Sequence, residues 1–201
     1  MRHLAALSLL ILGTVLLSPA ATVASPPTPP AAVAKVLDLF DRLRAAQEDR
    51  DDAPKHVAFN LTEAEINEYM RYALKTTPRP GLDSLTVKLF PKDYISTFTR
   101  IDFDAVERWH PGTIPVVLRP FLKGKKSIWI DCRIHAVDSK VTLTVEKARY
   151  EDMPLPAFFV EKMIQLVAAR QPEKYDTSRP MPIPFGVSKI FTTEHVIQGS
   201  N

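Results

Sequence analysis

The run "SIWIDCRIHAVDSKVTLTVEKARYE", residues 127–151, decides what kind of fold this chain has. From Ser127 to Val137 apolar and polar residues alternate. Ile128, Ile130, Cys132, Ile134 and Ala136 share one face, while Trp129, Asp131, Arg133 and His135 share the other. Successive side chains of a strand point to opposite sides, so this pattern marks a strand with one face on a core. "DSK" (138–140) turns the chain, and Val141, Leu143 and Val145 return in the same period. Two such runs joined by a short turn read as a β-hairpin, and hairpins build antiparallel sheet.

Other strands flank this hairpin. "LDSLTVKLF" (82–90) alternates, with Leu85, Val87 and Leu89 on one side. "DYISTFTRIDFDAV" (93–106) places Ile95, Ile101 and Phe103 in one phase, and "PKD" (91–93) is the turn between the two. "KHVAFNL" (55–61) is a short extended piece, and "VSKIFTTEHVIQ" (187–198) reads as one last strand with weaker alternation. "PGTIPVVLRPFLKGKK" (111–126) is a Pro-rich loop with at most one helical turn. It ends in a basic tip at Lys123, Lys125 and Lys126. "QPEKYDTSRPMPIPFG" (171–186) is a long Pro-rich return.

Three segments have helical period. In 31–51, Val33, Val36, Leu37, Phe40 and Leu43 form one apolar face. In 61–74, Thr62 followed by Glu65 is a capping box, Leu61 staples against Ile66, and Tyr69, Met70, Ala73 and Leu74 continue the face. "TTPRPG" (76–81) stops that helix. In 156–170, Pro156 opens a helix with a wide apolar stripe of Phe159, Val160, Met163, Ile164 and Val167, flanked by Phe158 and Leu166. The expectation is an α+β fold over residues 31–201. A strongly curved, mainly antiparallel sheet packs on and around apolar helices.

The N-terminus has another logic. Arg2 and His3 precede the apolar run 4–17, small residues follow, and Thr22-Val23-Ala24 offers a cleavage site. This is the layout of a secretory signal over 1–24, with an uncleaved N-terminal anchor as the alternative. It predicts a periplasmic or secreted protein. "SPPTPP" (25–30) is a stiff Pro-rich linker. A single cysteine, Cys132, rules out an internal disulfide, so stability must come from packing. Between Ile130 and Ile134 it reads as a small buried hydrophobe. The net charge is +3, from 26 basic and 23 acidic residues interleaved along the chain. A nucleic-acid binder clusters its bases, so none is expected here.

Catalysis needs convergent polar groups. The chain has six glycines and no Gly-rich phosphate loop, no G-x-S-x-G and no HExxH. His56, His110, His135 and His195 lack metal-ligand spacing, so the expectation is no catalytic residue, no metal and no cofactor. Asp131, Arg133 and His135 stand side by side as an ion-pair ladder would. Asp102 and Asp104 could form a carboxylate pair, with a solvated strand face as the plainer reading. Asn60-Leu61-Thr62 matches a glycosylation sequon, but Thr62 is better read as the helix cap. The apolar helices read either as core or as walls of a lipid cavity.

Three stretches carry a family resemblance: "FNLTEAEINEYM" (59–70), "SIWIDCRIHAVDSKVTLTVEKARYEDMPLP" (127–156) and "MPIPFGVSKIFTTEHVI" (181–197). They resemble the early helix, the paired strands with their Pro-Leu-Pro turn, and the closing strand of bacterial exported LmeA-like and YpmS-like proteins. These are distant relatives of the tubular lipid-binding (TULIP) superfamily. The resemblance implies a TULIP-like half-tube whose apolar groove binds phospholipid or another acyl-chain ligand, without catalysis. On that expectation the groove is lined by Ile66, Tyr69, Met70, Ile128, Ile130, Ile134, Phe158, Phe159, Met163 and Ile164. Lys123, Lys125 and Lys126 approach anionic headgroups or an anionic membrane surface. The alternative is a periplasmic protein-interaction or assembly module with no ligand cavity.

Overall fold

The structure is a computed structural model that describes residues 29–48, 56–109, 111, 112, 114, 116, 119–156, 158, 160, 161 and 180–201. In chain order the elements are α1 (Ala31–Gln47), β1 (Ala58–Thr62), α2 (Glu63–Thr76), β2 (Leu82–Phe90), β3 (Tyr94–Asp102), α3 (Phe103–Trp109), β4 (Lys125–Val137), β5 (Lys140–Tyr150), β6 (Met153–Leu155) and β7 (Met181–Pro182). A single 3₁₀ turn (Pro184–Gly186), β8 (Lys189–Thr193) and β9 (Val196–Ser200) complete the chain. The fold is α+β. The segment expected as a secretory signal (1–24) and most of the segment expected as a late helix (156–170), including Phe159, Met163 and Ile164, lie outside the described residues.

The strands form two antiparallel sheets rather than one. Six strands run β2-β3-β4-β5-β6, with β7 on β5, and three run β1-β9-β8. Neither sheet closes into a barrel. The 127–151 hairpin is as read, and it starts two residues earlier: β4 and β5 pair from Val137↔Lys140 to Ile128↔Tyr150. Asp138 and Ser139 both have positive φ, 51° and 57°, as a two-residue type I′ turn requires. The register jumps from Asp131↔Lys147 to Cys132↔Val145, leaving Glu146 as the extra residue of a β-bulge. The bulge resets the inward phase of β5, from Val141 and Val145 to Ala148 and Tyr150.

Three boundaries differ from expectation. The strand expected over 93–106 stops at Asp102. Its Oδ1 accepts the Ala105 N–H at 2.9 Å, so a helix begins at Phe103 instead. The carboxylate pair is thereby accounted for, since Asp102 caps α3 and Asp104 lies in its first turn. Lys125 and Lys126 belong to β4 rather than to the loop. Residues 187–198 hold two strands, because Glu194 and His195 form a tight turn between Thr193 and Val196, with φ of 58° at His195.

The core lies between α1, α2 and both sheets. Val36, Leu39 and Leu43 of α1, Ile66 of α2, Val87, Leu89 and Ile95 of β2 and β3, and Cys132 and Ile134 of β4 form one buried cluster with Val187, Ile190 and Ile197. On α1, Leu39 rather than Leu37 completes the buried face. Phe40 bridges the layers, edge-on to Tyr69 at 5.5 Å and stacked on Phe185 at 6.0 Å.

β2 is an edge strand, and α2 covers its edge with side chains. The Asn67 amide donates from Nδ2 to the Val87 carbonyl and accepts the Val87 N–H at Oδ1, both at 2.8 Å. Glu63 Oε2 accepts the Leu89 N–H at 2.9 Å, and the Leu89 carbonyl accepts the His195 N–H at 3.1 Å. An unpaired edge is an invitation to aggregate, and here polar side chains of a helix stand in for a neighbouring strand.

Candidate functional site

The structure gathers some of the expected groove residues and separates others. Ile66, Tyr69, Met70 and Ile134 all belong to the main core cluster, Ile66 and Ile134 buried and Tyr69 and Met70 at its margin. Burial pushes the Tyr69 phenol above its ordinary pKa. Ile128 lies instead in a second cluster with Phe103, Ile114 and Tyr150. Ile130 lies in a third with Val145, Ala148 and Val160. β5 contributes to all three clusters, with Val141 in the first, Tyr150 in the second, and Val145 and Ala148 in the third. Phe158 is exposed beyond β6.

The basic tip is also divided. Lys125 Nζ stands 2.7 Å from Asp83 Oδ2, which raises the lysine's pKa and occupies its charge. Lys123 is exposed, and Lys126 faces Asp102's end of β3 through the pair Ile101↔Lys126. Beside them the end of α3, the loop that follows it and β6 present apolar side chains to solvent. Trp109, Val116, Phe121 and Met153 are each more than half exposed. They gather where β3 and β5 end and β4 begins.

This end is built, not loose. The Glu107 carboxylate accepts the N–H groups of Gly112 and Ile114 at 2.9 and 3.1 Å, and it accepts from Arg119 Nη2 at 2.8 Å. The Tyr150 hydroxyl donates to the Phe121 carbonyl at 2.6 Å. The Glu151 carboxylate accepts the Ser127 N–H at 2.8 Å, with φ of 53° at Glu151. Phe121 is therefore held in place with its ring outward.

The other face of the six-stranded sheet is polar and aromatic. Phe98 and Trp129 pack at 4.3 Å, with the Arg149 guanidinium 5.2 Å over the indole. Arg133 bonds Glu146 across to β5 at 2.8 Å and lies 5.7 Å over Tyr94. Hence the expected ladder along β4 resolves into a cross-strand pair. Surface pockets among the described residues include the following two. One of about 90 Å³ is lined by Thr86, Lys88, Ser96, Phe98 and Trp129. The other, of about 330 Å³, lies at the β4–β5 turn beside His135, Asp138 and Lys140. Neither is lined by an expected groove residue. Among the described residues no cluster of three or more His, Cys, Asp or Glu is placed to hold a metal ion. No described helix is long and apolar enough to cross a membrane.

Sequence reasoning did not single out Asn67, Glu107 or Arg79. An Asn four residues after Glu63 on a helix carries no pattern of its own, and its role appears only when β2 is laid beside it. A scan against protein-family models, a search of curated proteins and a search of solved structures each return no match to this chain.

Proposed function

We propose that this chain is an exported envelope protein that binds a phospholipid or other acyl-chain ligand without catalysing a reaction on it. The observation that carries this reading is the apolar end of the six-stranded sheet. Trp109, Val116, Phe121 and Met153 face solvent there, beside Lys123 and Lys126. Aromatic and aliphatic side chains next to bases suit a lipid surface, where rings sit at headgroup depth and each base gains about 1 kcal/mol from anionic lipid. Exposure of these groups to water costs free energy that a lipid contact recovers.

A second reading, a protein-interaction module without a ligand cavity, is favoured by the packing of Ile66 and Ile134. Both are within a continuous core rather than on a cavity wall. Native mass spectrometry of the protein exported with its own N-terminus, followed by lipid extraction, separates the two. A defined adduct that extracts as lipid supports lipid binding. An apo mass, with no lipid taken up from added vesicles, leaves the interaction module.

A further inference from the structure

An antiparallel sheet with one face on a core is normally polar on the other. On the six-stranded sheet, four aromatic rings stand on the face away from the core. Phe90 and Tyr94 meet edge-on at 5.6 Å, and Phe98 and Trp129 pack at 4.3 Å with their planes tilted by 41°. The register sets Thr86, Phe98, Trp129 and Arg149 side by side from β2 to β5. The next row is Lys88, Ser96, Asp131 and Lys147. An open pocket of about 90 Å³ on this face is lined by Thr86, Lys88, Ser96, Phe98 and Trp129. Among the described residues no hydrogen bond engages the Thr86 or Ser96 hydroxyl, and no carboxylate pairs with Lys88 or Arg149. The Arg149 guanidinium meets the Trp129 ring instead, 5.2 Å from its centre. Asp131 lies opposite Lys147, which offsets its charge. One opening thus brings together aromatic rings, free hydroxyls and free cations.

The negative face of an aromatic ring attracts the weakly positive C–H groups of a sugar ring. Ser and Thr hydroxyls both donate and accept, which matches sugar hydroxyls. The pocket is too small to enclose a drug-sized ligand, but it is open, so a ring laid across it makes contact by one face. Lys88 on β2 and Arg149 on β5 belong to strands roughly 14 Å apart, three strand spacings. They flank the aromatic pair and attract negative charge from either side. We propose that this face binds an acidic saccharide, a chain of sugar rings some of which carry a carboxylate. One ring lies against Phe98 and Trp129, and carboxylates on neighbouring rings reach Lys88 and Arg149. Single-stranded nucleic acid fits less well. Its bases stack flat on aromatic faces, whereas these two rings are tilted against each other. Its phosphates also recur at every nucleotide, more closely than two cations on strands so far apart. The site lies off the apolar end of the sheet and stands whether or not that end meets lipid.

The test is isothermal titration calorimetry on the whole protein with three probes: oligogalacturonate, the uncharged maltooligosaccharide and oligothymidylate. The expected result is binding of oligogalacturonate, with maltooligosaccharide at least ten-fold weaker. Trp129→Ala should weaken oligogalacturonate binding at least ten-fold, and so should Lys88→Gln combined with Arg149→Gln. Lys189→Gln, which removes an exposed cation from the three-stranded sheet, should stay within two-fold of the parent. Lys88 and Arg149 are exposed, so the double variant leaves the core intact and decides the matter if Trp129→Ala does not fold. No binding of oligogalacturonate overturns the proposal, and so does equal binding of the two saccharides. Oligogalacturonate binding unchanged in the double variant overturns the site. Oligothymidylate bound through the same residues, with neither saccharide bound, overturns it in favour of nucleic acid. Phe121→Ser, at the apolar end, should leave oligogalacturonate binding within two-fold of the parent whatever it does to vesicle retention, so this site and the lipid reading fail separately.

Discussion

The Cys132 thiol donates to the Ile95 carbonyl at 3.6 Å and is 3% exposed. Burial pushes its pKa from an ordinary 9.0 up to about 12, with Asp131 and Glu146 adding to the shift. The thiolate is the reactive form, so the folded protein should resist alkylation at pH 8 and react fully once unfolded in urea. The same shift sets a pH dependence. A group whose pKa is raised on folding holds its proton more tightly in the native state. Its contribution is complete below pH 9 and is lost as pH rises toward 12. Urea melts of the parent should therefore lose stability across that window. Cys132→Ala, though weaker overall, should show a shallower alkaline decline. An equally steep decline would assign the effect to other groups. That Cys132 is a buried hydrophobe was legible from its place between two isoleucines. That Arg79 Nε and Nη2 lack a hydrogen-bond partner among the described residues was not, because a lone Arg in a Pro-rich turn looks like any solvated surface residue.

At the scale of elements, α2 depends on devices at both its start and its side. Thr62 accepts the Glu65 N–H at 3.2 Å, Glu65 accepts the Thr62 N–H at 2.8 Å, and Lys35 of α1 stands 2.7 Å from Glu65. Burial works against the Glu65 charge, but Lys35 and the Thr62 N–H outweigh it and the pKa is lowered. A carboxylate with a lowered pKa contributes stability above its unfolded pKa of 4.5, and that contribution is lost as pH falls through the folded value. Glu65→Gln should flatten the acid limb of stability below pH 4.5, seen in urea melts at stepped pH. Asn67 tests the edge cover. Asn67→Ala strips both hydrogen bonds from Val87 of β2, each worth about 1 kcal/mol, with a further cost for stranded backbone groups. The expected loss is about 2–3 kcal/mol. A loss under 1 kcal/mol would mean that water satisfies the edge. The capping box was readable because its two residues lie three apart in sequence. The Asn67 bridge was not, because its partner strand lies 20 residues on.

At the scale of the whole molecule, the two sheets lock together through β8. Thr192, the buried polar residue of the core, donates from its hydroxyl to Phe90 O at 2.6 Å, and its N–H reaches Asp93 Oδ1 at 2.8 Å. The lipid reading makes its prediction at this scale, since the proposed contact surface draws on α3, the loop after it, β4 and β6. Phe121→Ser should weaken retention on anionic vesicles by about 2 kcal/mol, the value of one buried aromatic ring. Lys123→Glu with Lys126→Glu should weaken it by at least 2 kcal/mol, roughly 30-fold, and only at low salt. Phe158→Ser, outside this end, should have little effect. Vesicle retention unchanged by both Phe121→Ser and the Lys123→Glu/Lys126→Glu pair would sink the surface as a lipid contact and favour a protein partner.

The amino-acid sequence by itself determined what depends on short range. The period-two alternation of 82–90 and 127–145, the capping box at 62–65 and the helical face of 31–47 each specify an element from neighbouring residues. The antiparallel α+β class follows, because hairpins join strands adjacent in the chain. Tertiary structure alone decided what depends on residues far apart. It split the expected sheet in two by returning β9 to β1, with Asn60 opposite Gln198. It also placed Ile128, Ile130 and Ile134 in three clusters, each set by the distant residues packed against it. Arg79 Nε and Nη2 lack a hydrogen-bond partner for the same reason: hydrogen-bond satisfaction and burial are properties of what the fold brings alongside a residue, and no local pattern encodes them.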